Sequence, residues 1–324
     1  SAGACVAELG DFAEGPSLAD ERDHHMTWAA KRPGGTFLYA AGGWADMTSP
    51  VQTIERAPLA EDGGIGAWQT LPTSTNVSGA AVVSTDDVVV FAGGYRSSGP
   101  STAVDVITIG EDGALSDPAD GPFLEDSRFH GAGVLVDGRV YVVGGLDYTG
   151  SSLATVERAT LNGGSLGSWA FDTALPIEIS HHGLATDGEA LYVTGGLKRV
   201  DNDFQNDEAF DAVLRARIAE DGSLEPWESV GTLPVPLAVH ASFVHAGQLY
   251  VIGGLDMADT KFVKTIRRAP LAGDGLGAWE ELPVQLPRAR GHTHQTPIVD
   301  GVLYSIGGHL NGGSQTQSYF ARFE

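Results

Sequence analysis

Nine of the ten histidines in this 324-residue chain occur in one of two settings. Eight stand just ahead of a short apolar run: His24 and His25, His130, His181 and His182, His240, His292 and His294. The ninth, His309, directly follows Gly307-Gly308, and only His245 departs from both settings. Neutral imidazole nitrogens ligate zinc, iron or copper at about 2.0–2.2 Å, and a histidine cluster can equally be a polar, pH-sensitive lining. The choice between them rests on how the chain brings the rings together.

Charged residues repeat the theme. Arg22, Arg96, Arg128, Lys198, Arg199, Arg288 and Arg290 fall near the same points, in a chain with only 19 Lys+Arg against 42 Asp+Glu. Guanidinium groups grip carboxylates with two parallel hydrogen bonds, so a local positive funnel there would suit an anion. The other reading of Arg22, Arg128 and Arg290 is as structural ties. Asp147 and Asp256 each follow a double glycine by two residues and are candidates for the same surface.

The elements that must position these groups are repeats. Double glycines occur at Gly42-Gly43, Gly93-Gly94, Gly144-Gly145, Gly195-Gly196, Gly253-Gly254 and Gly307-Gly308, spaced 51, 51, 51, 58 and 54 residues apart. The runs before them are near copies, such as Val140-Tyr141-Val142, Leu191-Tyr192-Val193 and Leu249-Tyr250-Val251. Each unit reads as four β-type segments. The first is short, apolar and often closed by an Asp-Gly turn, and the second ends in the double glycine. The third carries Arg-Ala, as in Arg56-Ala57 and Arg158-Ala159, and the fourth runs from a tryptophan (Trp68, Trp169, Trp227, Trp279) to Leu-Pro.

The hydrophobic-Tyr-x-x-Gly-Gly run, with a tryptophan roughly 25 residues later, resembles the kelch repeat, and the resemblance covers nearly the whole chain. It implies an all-β fold, a single six-bladed β-propeller over residues 1–324 with four antiparallel strands per blade, of a bacterial, secreted type. The last double glycine is followed by one further strand only. The stretch from residue 4 to residue 9, followed by Pro16, imitates residues 278–282 followed by Pro287, with Cys5 where the repeats place tryptophan. The expectation is a ring closed by the N-terminal strand pairing in the last blade, which removes open sheet edges.

In such a propeller the first strands line a central channel, so the histidines would converge on one mouth. Counting six residues back from Lys31, Asp187, Ala246 and Asp300 gives His25, His181, His240 and His294 as equivalents, with His24, His130, His182 and His292 as neighbours. Four imidazoles at one height could share a single copper, iron or zinc ion. Kelch repeats also commonly carry a histidine here that bonds loop backbone, and this structural reading stands beside the metal one.

Blade four carries the longest insertion, residues 198–208, a lid or partner-contact loop on a rigid scaffold. It is a poor calcium loop, since Asn206 stands where the loop needs glycine. Gly163-Gly164-Ser165-Leu166-Gly167 matches a hydrolase elbow only formally, because the aligned turns in other repeats lack the serine. There is no phosphate-binding glycine loop, hence no nucleotide cofactor. The formal charge of −23 argues against nucleic acid, and no run of about 18 apolar residues offers a transmembrane segment. A monomer is expected, extracellular or periplasmic, with a lipid anchor through Cys5 as the less favoured reading.

Three functions follow as expectations. The first is a binding module gripping a small-molecule, glycan or protein ligand at the mouth through Arg22, Arg96, Arg128, Arg199, Arg290, Asp147, Asp256 and His309. The second is a metal-dependent enzyme built on the histidines. The third, implied by resemblance alone, is a sialic-acid-type epimerase in which arginines hold the carboxylate and Glu208 or Asp256 moves protons.

Overall fold

The computed structural model describes residues 7–46, 49–203, 205–273, 275–293, 295–310 and 313–324. Among the described residues all regular structure is β, without an α-helix, and no helix is long and apolar enough to cross a membrane. Six antiparallel sheets of four or five strands account for most of it. In the first, Met26–Arg32, Gly35–Ala41, Thr53–Leu59 and Gln69–Ser74 lie side by side in chain order. The second strands are continuous apolar runs because both of their faces are covered; Val88–Ala92 and Val302–Ile306 are buried at every residue.

First strands of successive sheets adjoin: Met26–Arg32 lies against Ala81–Ser84, which lies against Ala132–Val136, then Gly183–Thr186, then Ala241–His245. Each of six apolar clusters forms between two sheets rather than within one. Met26, Trp28 and Tyr39 pack on Phe91 and Ile107 of the second sheet. Leu38, Ala57 and Ile65 of the first sheet pack on Val302, Tyr304 and Ile306 of the last. Two repeated side chains tie these interfaces. The Tyr39, Tyr141 and Tyr304 hydroxyls donate to the Gly113, Gly222 and Gly63 carbonyls, at 2.8, 2.6 and 2.8 Å, each in a turn of another sheet. The indole N–H groups of Trp169, Trp227 and Trp279 donate to Pro122, Thr173 and Thr232.

The N-terminal segment joins the last sheet, in a different register from that expected. Ala13–Glu14 pairs with Phe320 and Tyr319 of the strand Ser318–Arg322, and Leu9 bridges Phe323. Elsewhere the residue after the tryptophan pairs with the third-strand arginine, as Gln69 does with Arg56 and Glu280 with Arg268. Phe320 occupies that arginine position opposite Tyr304, and its partner is Ala13. Phe12, not Cys5, therefore holds the tryptophan slot; Cys5 lies outside the described residues.

Candidate functional site

Two sets of equivalent residues build one end of the molecule. The residue after each double glycine forms a bridge with a residue just ahead of a first strand: Trp44 with Asp23, Tyr95 with Ser78, Leu146 with Phe129, Leu197 with Ser180, Leu255 with Ala238, and His309 with Gly291. One residue further on, His24, Gly79, His130, His181, Val239 and His292 all have left-handed backbones, with φ between 51° and 60°. Their peptides link head to tail across the sheets. Gly79 N–H donates to His24 O at 2.6 Å, His130 to Gly79 at 2.9 Å, His181 to His130 at 3.2 Å, Val239 to His181 at 2.8 Å and His292 to Val239 at 2.9 Å. These bonds hold in place a conformation that a β-branched Val239 would otherwise avoid.

Four imidazoles thus share one level. Ring centroids are 3.7 Å apart for His24 and His292, 4.5 Å for His24 and His130, and 4.2 Å for His130 and His181. They floor a hollow of about 500 Å³, the mouth, whose wall includes Trp44, Tyr95 and Phe129 in edge contact at 5.5 and 5.4 Å. A hollow of similar size, about 510 Å³, lies further along the first strands, but its charged residues are engaged: Lys31 pairs with Asp300 at 2.6 Å, and Asp86 accepts the Lys31 backbone N–H at 2.8 Å.

The histidine set corrects the expected quartet. His24, His130, His181 and His292 are equivalent, whereas His25, His182 and His240 follow the left-handed residue and turn away into the sheet interfaces. A Cβ on Gly195 would stand 2.9 Å from His240 Cε1, and one on Gly307 or Gly144 would meet His25 or His182 at 2.9 or 3.0 Å. The first glycine of every pair is bare because a Cβ would stand 2.1–2.9 Å from a backbone carbonyl of the next sheet, and in these three pairs a histidine ring lies over it as well. Counting from the turns failed because the first strands differ in length, with Lys31 inside a strand rather than in its turn. His294 lies outside the described residues. His245 stacks on Phe323 at 4.0 Å, away from the mouth.

Burial pushes the three interface imidazoles down: His25 to about 3, where Arg22 adds to the effect, His182 to about 4 with help from Arg128, and His240 to about 3 with help from His182. These values lie below the ordinary 6.5, so the unfolded chain takes up protons first. The associated stability is complete above about pH 6.5 and is lost as pH falls toward 4 and 3. Thermal melts in chelator between pH 7.5 and about 4.5 should show this fall, and His240→Gln should flatten it. A variant with the wild-type slope would show that His240 is not the group responsible.

The expected arginine funnel is not formed. Arg22, Arg128 and Arg290 are fully enclosed. Arg22 donates to the carbonyls of Gly42 and Thr53 and to Glu55 at 2.7 Å; Arg128 repeats this with Gly144, Thr155 and Glu157 at 2.6 Å. Arg290 donates to Gly307 and Gln317 carbonyls and lies 4.7 Å over the Tyr319 ring, which replaces the acid. Arg96 pairs with Asp105 at 3.1 Å, and Lys198 with Glu178 at 2.8 Å. Arg199 does line the mouth, gripped by both oxygens of Asp207 at 2.8 and 2.6 Å. That grip closes the long insertion into a hairpin, Leu197–Lys198 against Glu208–Ala209, rather than a lid.

The acids are displaced as well. Asp147 accepts from the Thr149 and Ser151 backbone, and Asp256 from Ala258 and Asp259, so both brace their own turns. The carboxylate that matters at the floor is Asp23, which the repeat pattern does not single out. It is completely buried, bonds His24 Nδ1 through Oδ1, and through Oδ2 accepts from Ser314 at 2.7 Å and meets His309 Nδ1 at 3.1 Å. Burial alone would raise its pKa, but these contacts, His24 first, hold it well below the carboxylate range. The aromatic wall was also missed, although Trp44 and Tyr95 each directly follow a double glycine.

No family model matches the chain. It is 26% identical over 200 residues to Kelch-like protein terF of Aspergillus terreus, covering 60% of this chain and 42% of that protein. It is 25% identical over 159 residues to Kelch repeat and BTB domain-containing protein 12 of Danio rerio, covering 47% of this chain and 25% of that one. The chain thus spans less than half the length of these curated relatives. The solved structure of YjhT matches with a TM-score of 0.68 over 94% of this chain and 95% of that one, at 14% identity, which speaks to fold alone. With six double-glycine repeats, five of them Tyr-x-x-Gly-Gly, in a sheet-on-sheet β architecture, and with kelch proteins among its relatives, the chain is similar to kelch-repeat β-propeller proteins.

Proposed function

We propose that the six sheets are the blades of one closed six-bladed propeller spanning residues 1–324, and that its mouth is a recognition site for a neutral ring such as a sugar. What supports the ring is the last-to-first contact: the shared core of Leu38 and Tyr304, the Tyr304 bond to Gly63, and the N-terminal strand in the last sheet. The observation that carries the function is the mouth itself, an aromatic wall above an imidazole floor in a hollow of about 500 Å³. Aromatic faces offer area to C–H-rich rings at little entropic cost, and the imidazoles supply directional hydrogen bonds. An anionic ligand finds less, since Arg199 is already held by Asp207 in a protein of net charge −23. The epimerase reading loses its carboxylate-binding arginines for the same reason, and Asp256 is engaged in its turn. Monomeric state and an extracellular or periplasmic setting belong to the same proposal.

Titration with neutral mono- and oligosaccharides, followed by tryptophan fluorescence and thermal shift, tests the site. A binder should raise the melting temperature by mass action, and Trp44→Ala should weaken it by about 30-fold or more. Equal affinity in Trp44→Ala would put the ligand elsewhere and remove this reading of the mouth.

A further inference from the structure

We infer that His24, His130 and His292 form a binding site for one first-row transition-metal ion of the zinc type at the floor of the mouth. Each offers a ring nitrogen, and these three nitrogens all lie within 4.8 Å of one another. All three residues are buried, at 2, 5 and 8% exposure, and their backbones are fixed by the head-to-tail backbone hydrogen bonds that run from sheet to sheet. Tetrahedral nitrogen ligands at about 2.1 Å from a metal stand about 3.4 Å apart, so binding draws the rings together by side-chain rotation over a fixed frame.

The second observation is Asp23. Its buried carboxylate holds His24 Nδ1, which fixes the ring orientation and leaves Nε2 as the lone-pair nitrogen. Asp23 is itself anchored by Ser314 at 2.7 Å, so the carboxylate cannot swing away to free the ring. A buried carboxylate behind a histidine is how proteins orient and enrich metal-ligating imidazoles, whereas a merely stacking histidine has no need of one. Three imidazoles without thiolate select a borderline ion over magnesium or calcium, and three protein ligands leave a fourth position open. That position faces the aromatic-walled hollow, so an oxygen-bearing ligand there could reach the ion. The inference deepens the reading of the mouth as a binding site, but its test uses no organic ligand, so the two fail separately.

Untagged full-length protein is stripped with chelator and titrated with Zn²⁺ by calorimetry, then with Co²⁺ by absorption spectroscopy. One equivalent is expected, with a rise in melting temperature and the visible bands of a low-symmetry, nitrogen-ligated cobalt site. The His130→Ala/His292→Ala double variant should bind at least about 100-fold more weakly, Asp23→Asn about 10- to 100-fold more weakly, and His245→Ala should match wild type. Binding below roughly a tenth of an equivalent in wild type, or undiminished binding in a folded double variant, overturns the inference. Where circular dichroism shows that the double variant does not fold, the wild-type cobalt spectrum decides: an octahedral aquo-like spectrum overturns it.

Discussion

Deleting residues 1–15 should destabilise the protein by about 5 kcal/mol or more, a large part of what a domain of this kind has in hand. The segment does two things at once. Its backbone completes the last sheet: Glu8 and Glu324 exchange N–H···O bonds at 3.0 and 2.8 Å, Gly10 donates to Arg322 at 2.8 Å, and Gly15 to Ser318 at 2.9 Å. Its side chains complete a core, with Leu9 at 6% exposure among Leu303, Ala321 and Phe323, and Phe12 packed beside them. Removal leaves Ser318–Arg322 as an open edge carrying exposed apolar surface, the setting in which strands pair between molecules. Aggregation on heating and a drop in melting temperature of roughly 10 °C or more are expected in differential scanning calorimetry. Leu9→Ala and Phe12→Ala should each reproduce part of the loss. A truncated chain that melts within about 2 °C of the full one would show that the segment is not structural, and the closed-ring proposal would go with it.

The repeat was legible because its most visible letters answer to steric demands that hold in every unit. Gly195 must be bare because the Leu237 carbonyl and the His240 ring of the next sheet lie over it, at 2.4 and 2.9 Å from where a Cβ would stand, and Gly196 because His182 of its own sheet leaves no room, with a Cβ there 2.7 Å from that of His182. Such demands recur each time two sheets meet, so they print themselves at a regular period. The mouth is different, since each sheet contributes one residue to a shared floor and no two contributions need be alike. Gly79 and Val239 stand where four other sheets place histidine, and the level is recognisable only from the left-handed backbones and the backbone hydrogen bonds that join them. A count along the sequence slips wherever a strand lengthens, and this slip put His25 and His240 on the floor in the places of His24 and Val239. Asp23 was illegible for a related reason. It occupies a position filled by Ser78, Phe129, Ser180, Ala238 and Gly291 in the other sheets, so no pattern marks it, and its meaning depends on His24 and His309 converging from opposite ends of the chain.

The arginine struts provide the second large effect, because the same device appears with and without its acid. Arg128 and Glu157 are both enclosed, at 1% and 0% exposure, and meet at 2.6 Å. Glu157 also accepts the backbone N–H groups of Glu125 at 2.7 Å and Asp126 at 3.0 Å, so it ties down the loop entering the sheet as well as the cation. Glu157→Ala strands a guanidinium in a site where burial already presses its pKa downward, and should cost about 3–5 kcal/mol. Glu55→Ala should cost the same, since Arg22 and the N–H groups of Ala19 and Asp20 repeat the arrangement. Replacing both partners, as in Arg128→Met/Glu157→Leu, removes the stranded charge and should cost well under the sum of the single changes, a coupling readable in a double-mutant cycle. In the last sheet Arg290 manages without an acid, on carbonyls at 2.8 and 3.2 Å and the ring of Tyr319, with its pKa pushed down to about 10 by burial. Having no buried counter-charge to abandon, Arg290→Met should be the mildest of the three arginine-to-methionine changes by urea denaturation. The opposite ranking would mean that the carbonyl contacts, not the ion pairs, carry the struts.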